Sequence, residues 1–267
     1  MIALSSERVR RRAWRLAGIG LLAAGGGFAG GLNDTGQTTC SNDTSEVSPE
    51  PSTHPRQDCS MGRDAAAAAG LLPKIGAGSK GFDYTKIANN GRVLPATASL
   101  GPGADQWACT RDNLTGLNWE MKTTDGGLHH WTWSYTWYDD IHTDNNGGDA
   151  GAKGGNTCGG TLPKNECNTQ AYAAAVNAAG LCGWRDWRLP TRVELYGLVD
   201  HGIDPGEPNT DSIYFPNQNR NFYWSSSSDA FIPTSAQTVR FENGDLGGVV
   251  SILKGMSAHV RLVRGGQ

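Results

Sequence analysis

The sequence has no apolar run long enough to cross a membrane, no closely spaced cysteine pair and no marked excess of charge. Its longest apolar stretch, residues 16–29, is shorter than the ~20 residues that a spanning helix needs, and three consecutive glycines interrupt it. The formal net charge of -3, without a basic stripe, excludes the usual electrostatic footprint of nucleic-acid binding. The absence of CxxC pairs argues against a zinc site built from paired thiolates.

The N-terminus has the pattern of an export signal. Five arginines precede the apolar stretch, as in the charged and hydrophobic regions of a signal peptide. Cleavage after Ala29 or Gly30 suits a small-residue peptidase site, so residues 1–30 are predicted to be a signal peptide. Twin-arginine export through Arg11-Arg12 is an alternative route. We therefore expect a periplasmic, secreted or surface-associated bacterial protein.

The cysteines are predicted to form three disulfides. The chain is rich in glycine (37) and tryptophan (9), which favours a loop-rich fold that needs cross-links. All six cysteines follow the predicted signal, and an even number in an exported chain is typical of structural disulfides. Spacing alone leaves several connectivities open. Local closure favours Cys40 with Cys59 and Cys158 with Cys167, which leaves Cys109 with Cys182.

Composition divides the mature chain in two. Residues 31–106 are polar and rich in turns, and they are predicted to be an N-terminal extension packed on or preceding the main domain. Its one helical segment is 64–69, with Asp64 as N-cap and Gly70 as stop. Residues 107–267 are predicted to form the main domain.

The first half of that domain carries two alternating segments and two helices. Each alternating segment predicts a strand with one buried face. A helix is predicted over 169–179, with Tyr172, Val176 and Ala179 on one face, ended by Gly180. A second helix begins at the Thr191 and Glu194 capping box. The alternating residues are Leu117, Trp119 and Met121, then Trp131, Trp133, Tyr135 and Trp137.

Three further strands are predicted near the C-terminus, at 222–225, 238–241 and 259–263, with an Asn243-Gly244 turn after the second. In the last of them, polar and apolar residues alternate. The order of strands, helices, long loop and strands outlines an α+β, C-type-lectin-like domain. It has two helices and a small twisted antiparallel sheet, and it is loop-rich and stapled by disulfides.

Four motifs resemble the DUF1566 family, which includes the C-terminal domain of the Legionella collagen-like adhesin. They are DNLTGLNWE at 112–120, GWRDWRLPT at 183–191, FYWSSS at 222–227 and VRLVRGG at 260–266. The resemblance spans residues 107–267 and implies a secreted or surface protein of C-type-lectin-like fold that binds ligands such as glycans. The collagen-like repeats are absent, so the trimerisation that they support in the adhesin is not implied.

The conspicuous motif residues are predicted to be architectural. Trp184, Trp187 and Trp224 are expected to fill the core, and Arg185 with Asp186 to form a buried pair. The segment between the motifs, residues 229–258, follows no clean core period and is predicted to be an exposed ligand face. Candidate ligand contacts are Tyr223, Asp229, Phe231, Thr234, Gln237, Glu242, Asp245, Leu246, Val249, Ser251, Leu253 and Met256.

Some proteins of this family resemble targets of diversity-generating retroelements, which hypermutate the segment between two ends like those of this chain. We therefore expect an adhesin-like protein that recognises a glycan or a protein on another surface, without nucleic-acid partners or membrane insertion. Hypermutation would act on the same segment.

No cofactor is expected, although one loop offers calcium ligands. Asp140, Asp144, Asn146 and Asp149 present hard oxygens on a flexible backbone, whereas the simpler interpretation is a solvated Asn/Gly loop. Glu207-Pro208-Asn209 matches a sugar-binding tripeptide of calcium-dependent lectins, and is interpreted as an ordinary turn. His129, His130 and His142 have two interpretations: they form a zinc site, or they lie at exposed strand positions among the alternating tryptophans.

Catalysis is not expected. No G-x-S-x-G elbow surrounds the serines at 225–228, and no triad order is present. The enzymatic alternative is a formylglycine-generating enzyme, which shares a C-type-lectin-like architecture but needs C-terminal cysteines. No cysteine follows Cys182. A structural envelope protein without a specific ligand is the third alternative.

Overall fold

The computed structural model describes residues 33–142, 144, 146–203, 206–242 and 248–265. The predicted signal peptide lies outside these residues. Within them, no helix has the length and apolar character to span a bilayer. The strands are β1 Cys40–Ser41, β2 Glu46–Val47, β3 Tyr84–Ala88, β4 Trp107–Asp112, β5 Asn118–Glu120, β6 Tyr135–Thr136, β7 Phe222–Ser228, β8 Ser235–Arg240, β9 Val249–Leu253, β10 Ser257–Ala258 and β11 Val263–Arg264. The α-helices are α1 Gly62–Ala68, α2 Thr169–Ala179 and α3 Arg192–Tyr196.

Two antiparallel sheets organise the molecule. The four-stranded sheet has the order β11-β5-β4-β3, so β11 pairs with β5, which lies far from it in the sequence. Its edge strand β3 belongs to the predicted N-terminal extension, which therefore contributes to the same sheet as the main domain. The three-stranded sheet has the order β7-β8-β9. The predicted α+β class with small antiparallel sheets is confirmed.

Strand β7 separates two hydrophobic cores. Tyr223 packs into the core that contains Trp119 and Val239, whereas the adjacent Trp224 packs into the core that contains Trp137 and Tyr172. Successive side chains of a strand point to opposite faces, so one strand supplies both cores. This double burial explains why residues 222–224 carry three consecutive aromatic rings.

The helices follow their predicted local determinants. Helix α2 has the predicted bounds, and Gly180 ends it in the left-handed conformation with φ 70°. The Thr191 capping box is present at the start of α3. The prediction of Asp64 as N-cap is wrong: Met61 occupies that position, and Asp64 is buried inside α1, where it accepts a hydrogen bond from the Gly81 amide.

All three predicted disulfides are present, with the predicted pairing. The link between Cys109 and Cys182 joins β4 to the turn after α2 and belongs to the larger of the two cores. The link between Cys158 and Cys167 is also fully buried. The cysteines therefore take part in the packing as well as closing loops.

The predicted alternation of the strands is wrong in three places. Strand β5 is buried on both faces, because β4 and β11 flank it and both of its sides meet core residues. Of the segment around Trp131, Trp133 and Trp137, only Tyr135–Thr136 is strand; Trp131 lies in a turn, and Trp133 lies in irregular structure. The predicted last strand, 259–263, is buried throughout; only Val263 belongs to a strand, β11, and His259 forms an isolated bridge with Tyr223.

The expectation for the motif tryptophans is confirmed for Trp187 and Trp224, which are buried, whereas Trp184 is half-buried. The predicted buried pair of Arg185 and Asp186 is wrong. Both residues are exposed, and each has another partner. Arg185 donates to the carbonyls of Asn177 and Ala178 at the end of α2, and Asp186 accepts from Arg264 at 2.8 Å.

Candidate functional site

The segment predicted to face a ligand contains a strand edge that sequence patterning missed. Strand β9 pairs with β8 in the register Gln237 to Ser251, and in the described part of the chain it has no neighbour on its other side. The amide of Lys254 donates to Thr234, and the amide of Arg240 to the carbonyl of Gly248. Because hydrogen-bonded pairs alternate along an antiparallel ladder, the backbone groups of three residues point away from β8. These residues are Val249, Ser251 and Leu253.

Apolar side chains cluster along this free edge. Leu253 is 55% exposed and Met256 52%, and Val249 and Val250 are also exposed. Phe231, in the loop before β8, is 94% exposed. No residue of β9 is charged. Natural edge strands are commonly protected by charges or proline, so an uncharged, apolar edge is typical of an interaction surface.

The other candidate contacts divide by exposure. Thr234 is exposed, Gln237 is half-buried on β8, and Glu242 forms an ion pair with Arg240. Asp229 accepts hydrogen bonds from the amides of Phe231 and Ile232 and from Ser251, and these bonds lower its pKa. Asp229 therefore holds the loop before β8 beside β9. Asp245 and Leu246 lie outside the described residues.

Tyr223 offers no surface to a ligand. It is fully buried, and its hydroxyl accepts a hydrogen bond from the Asn219 amide at 3.0 Å. Burial raises its pKa. The phenol therefore supports the turn before β7, and a direct ligand contact would require it to leave the core.

The predicted calcium loop is held by a protein ammonium group. Lys254 donates to the backbone carbonyls of Asn146, at 2.6 Å, and Asp149. The Asp149 carboxylate accepts from the Gly151 amide, and Asp140 accepts from the Tyr138 hydroxyl at 2.8 Å. Asp144 is exposed. Calcium binding at this loop stays a prediction, which a calcium titration of Asp144→Asn against the unchanged chain would test.

The prediction that the histidines lie at exposed strand positions is wrong: His129 lies in a turn, His130 forms an isolated bridge with Thr123, and His142 is exposed outside any strand. The Nδ1 atom of His129 lies 2.8 Å from Oε1 of Glu120. His130 contacts the Thr132 hydroxyl, and His142 contacts the Asp139 carboxylate. The three rings thus have separate local partners. Glu207 is exposed at a bend, and Asn209 of the same tripeptide is buried.

A buried ionic cluster was not predicted from sequence. Glu120 accepts hydrogen bonds from Lys122 at 2.7 Å, from the Tyr172 hydroxyl and, through Oε2, from the Leu262 amide at 2.9 Å. Burial alone would raise the pKa of Glu120, but Lys122 and His129 hold it well below its ordinary range. Burial lowers the pKa of Lys122 to about 8. The guanidinium of the fully buried Arg261 donates to the Glu120 carbonyl at 2.6 Å.

Three aspartates that are separated in the sequence also lie close together in the N-terminal part. One carboxylate oxygen from each of Asp34, Asp58 and Asp64 lies within 4.8 Å of the other two. Burial, with repulsion from Asp64, raises the pKa of Asp34 to about 7. Thr35 donates a hydrogen bond to Asp58. The disulfide between Cys40 and Cys59 holds the chain beside this cluster.

The family model for the Lcl C-terminal domain matches residues 108–264, which is more than half of the chain and nearly all of the predicted main domain. No curated protein and no solved structure matches the chain.

Proposed function

The chain belongs to the Lcl C-terminal domain family, and on this basis we propose that it is an exported, adhesin-like protein that binds a ligand on another surface. The C-type-lectin-like fold is part of the same proposal. The family is adhesin-like and not enzymatic, which agrees with the sequence expectation at that coarse level. The ligand is proposed to be an extended segment of a surface protein.

One observation carries this choice: β9 is an edge strand with backbone groups that point away from β8 and with exposed apolar side chains at Val249, Val250 and Leu253. An extended peptide that added a strand would gain main-chain hydrogen bonds from Val249, Ser251 and the Leu253 amide, since the Leu253 carbonyl already accepts from the Met256 amide. The side chains of Leu253 and Met256 would provide contacts for apolar residues of that peptide. A polyanionic glycan is a poorer fit to β9, because the strand carries no cation.

The same geometry is compatible with diversification by a retroelement. The ends of the segment, Trp224 and Val263, are fully buried, whereas Val249 and Leu253 between them are exposed. Changes at exposed edge positions would alter the ligand without disturbing the core. A near-copy of the 3′ coding segment beside a reverse-transcriptase gene, differing at adenines, would support this part of the proposal; its absence from the locus would contradict it.

The test uses residues 31–267 and a displayed library of random peptides. We expect enrichment of peptides with alternating apolar residues, and at least tenfold weaker binding to Leu253→Asp, which places a charge on the apolar edge. Leu71→Asp is the matched control, since Leu71 is exposed in the N-terminal part. N-methylation of alternate peptide amides should also weaken binding, because it removes main-chain donors. Unchanged binding to Leu253→Asp, or no enriched peptide, would overturn the proposal.

A further inference from the structure

The three clustered aspartates of the N-terminal part lie outside residues 108–264, which the family model matches. Asp34 precedes the first strand, Asp58 precedes α1 and Asp64 lies within α1. One carboxylate oxygen from each lies within 4.8 Å of the other two. Two oxygens that bind one calcium ion at about 2.3–2.6 Å can be up to roughly 5 Å apart. The three carboxylates are therefore close enough to bind one ion together.

Two of these carboxylates each have one hydrogen-bonded oxygen and one oxygen without a partner. Asp64 is 1% exposed, and its Oδ1 accepts from the Gly81 amide at 2.7 Å, whereas its Oδ2 has no hydrogen-bond partner among the described residues. In Asp34, Oδ1 accepts from the Thr35 amide at 3.0 Å, and the buried Oδ2 likewise has no partner there. Buried carboxylates are normally paired with a cation or bound to a metal. The unpartnered Oδ2 of the buried Asp64 therefore points to a bound cation.

Gly81 allows the carboxylates of Asp34 and Asp64 to approach each other. The Gly81 amide donates to Asp64, and a Cβ atom at position 81 would lie 1.2 Å from Oδ2 of Asp34. The two carboxylates are near enough for a direct hydrogen bond, which would require a proton on one of them. Without a proton or a cation between them, two negative charges at this distance repel each other. The missing side chain at Gly81 thus creates a place that one of these two occupants must fill.

The described part of the chain supplies no cation to the cluster. None of its ion pairs includes one of the three aspartates. The basic side chains of the surrounding loop bond to backbone carbonyls instead. Arg63 donates to the carbonyl of Gly81 at 2.9 Å, and Lys74 donates to those of Gly78 and Lys80. A divalent cation from solution would offset the negative charge that these residues leave unpaired.

The donor set favours a hard divalent cation. It consists of carboxylates, with the Thr35 hydroxyl bonded to Asp58. No histidine belongs to it, and the nearby Cys40 and Cys59 are joined in a disulfide. Oxygen ligands suit Ca²⁺ and Mg²⁺ better than Zn²⁺ or copper. Mg²⁺ demands near-ideal octahedral geometry, whereas Ca²⁺ accepts an irregular set that water completes. Asp34 and Asp58 are only half-buried, so water can reach the open positions.

The cluster lies where the N-terminal extension meets the main domain. Asn33 donates to the carbonyl of Gly197 at 2.8 Å, and the amide of His201 donates to the carbonyl of Thr35 at 2.8 Å. Gly197 and His201 belong to the part of the chain that the family model matches. Asp34 lies between these two contacts in the sequence. An ion bound by Asp34 would therefore connect the rest of the cluster to a segment that is already attached to the main domain.

We propose that the three aspartates bind one Ca²⁺, which attaches the segment 58–64 to the segment 33–36 and, through it, to the main domain. Each carboxylate supplies one oxygen, and water completes the coordination. The disulfide between Cys40 and Cys59 joins two points within the extension, so the ion makes a connection that this disulfide does not make. The site shares no residue with β9 and does not depend on the function proposed above.

A calcium titration of residues 31–267, after removal of metal with a chelator, tests the site. Calorimetry should give a dissociation constant no weaker than about 1 mM, as in extracellular calcium modules. Asp64→Asn retains an acceptor for the Gly81 amide and should weaken this binding at least tenfold. Asp144→Asn, in the loop 140–149, is the matched control and should retain it. Absence of calcium binding, or binding that is lost in Asp144→Asn and unchanged in Asp64→Asn, would overturn the proposal.

Thermal unfolding separates a ligand from a structural residue. Calcium at about 5 mM should raise the thermal midpoint of the unchanged chain, because the ion binds the folded state. In chelator, Asp64→Asn should unfold at the same temperature or higher, since repulsion from Asp34 is removed, and calcium should no longer raise its midpoint. A midpoint that Asp64→Asn lowers equally with and without calcium would assign a structural role only, and a cluster occupied by a proton alone would show no calcium effect in any chain.

Two further variants keep the test decisive if Asp64→Asn does not fold. Asp58→Asn alters a half-buried ligand and should weaken calcium binding at least tenfold. Gly81→Ala retains all three carboxylates, but its methyl group displaces Asp34, so it should also lose calcium binding. Calcium affinity equal to that of the unchanged chain in both variants would contradict the proposed ligands.

Trypsin reports whether the ion attaches the extension. Arg56 is exposed just before the segment 58–64. Calcium should slow cleavage after Arg56 several-fold relative to chelator in the unchanged chain, but not in Asp58→Asn. Magnesium at the same concentration should protect less. Calcium binding without protection of Arg56 would contradict the attachment, and equal protection by magnesium would contradict the choice of calcium.

Discussion

The ammonium group of Lys254 donates a 2.6 Å hydrogen bond to the backbone carbonyl of Asn146. It also donates to the carbonyl of Asp149 and lies 4.3 Å from the centre of the Trp137 ring. Lys254 directly follows β9 and is almost fully buried. One buried cation therefore fixes the aspartate-rich loop against the end of the proposed binding strand.

Lys254→Met should destabilise the protein by about 1–3 kcal/mol, because two carbonyl acceptors lose their donor. Urea unfolding measures the change. Lys153→Met is the control, since Lys153 is exposed, and a surface change of this kind is usually within about 0.5 kcal/mol. Equal stability of the two variants would show that the loop is held by other contacts.

Glu120 should make the protein sensitive to acid. Its pKa in the folded protein is held below the ordinary value of 4.5, so the unfolded chain binds the proton more readily. The stability that Glu120 contributes is therefore present above pH 4.5 and is lost as the pH falls below it. Thermal unfolding between pH 7 and pH 3 should show a steeper loss for the unchanged chain than for Glu120→Gln.

Glu120→Gln itself should cost about 3–5 kcal/mol at neutral pH, because Lys122 is left buried without its charge partner. The double variant Glu120→Gln, Lys122→Met should recover much of that loss, since both charges are then removed. Urea unfolding of the three chains gives the comparison. Additive losses in the double variant would contradict the pairing.

The disulfides should differ in their contribution to stability. Cys109 and Cys182 are 73 residues apart, whereas Cys158 and Cys167 are nine apart. The chain-entropy model gives about 4 kcal/mol for the longer loop and about 2.5 kcal/mol for the shorter. All four cysteines are fully buried, so replacing each pair by alanine makes matched variants. A larger loss from the short loop would show that local packing outweighs loop entropy.

The capping box should account for a measurable part of the stability of α3. Thr191→Ala removes the oxygen that accepts from the Glu194 amide and should cost about 1 kcal/mol. Thr191→Asn, which retains a capping oxygen, should lose no more than a few tenths of that amount. Chemical unfolding distinguishes the two, and an equal loss would assign the effect to the methyl group instead.

The sequence determined the features that depend on neighbouring residues. The bounds of α2, the stop at Gly180, the Thr191 capping box and the disulfide pairing all follow from caps, glycine conformation and local closure. The family resemblance also came from contiguous motifs, and a domain-family match over 108–264 supports it. Apart from the pairing of Cys109 with Cys182, which remains once the two local pairs are closed, each of these properties is set within one turn, one loop or one motif.

Tertiary structure alone decided which strands have two buried faces and which has a free edge. Strand β5 is covered on both sides because β11 returns from the end of the chain, and Arg261 is buried because Glu120 and Gln218 lie there to receive it. Strand β9 is left at an edge of its sheet with apolar side chains exposed. Alternation in a sequence cannot report these outcomes, since burial depends on partners distant in the chain.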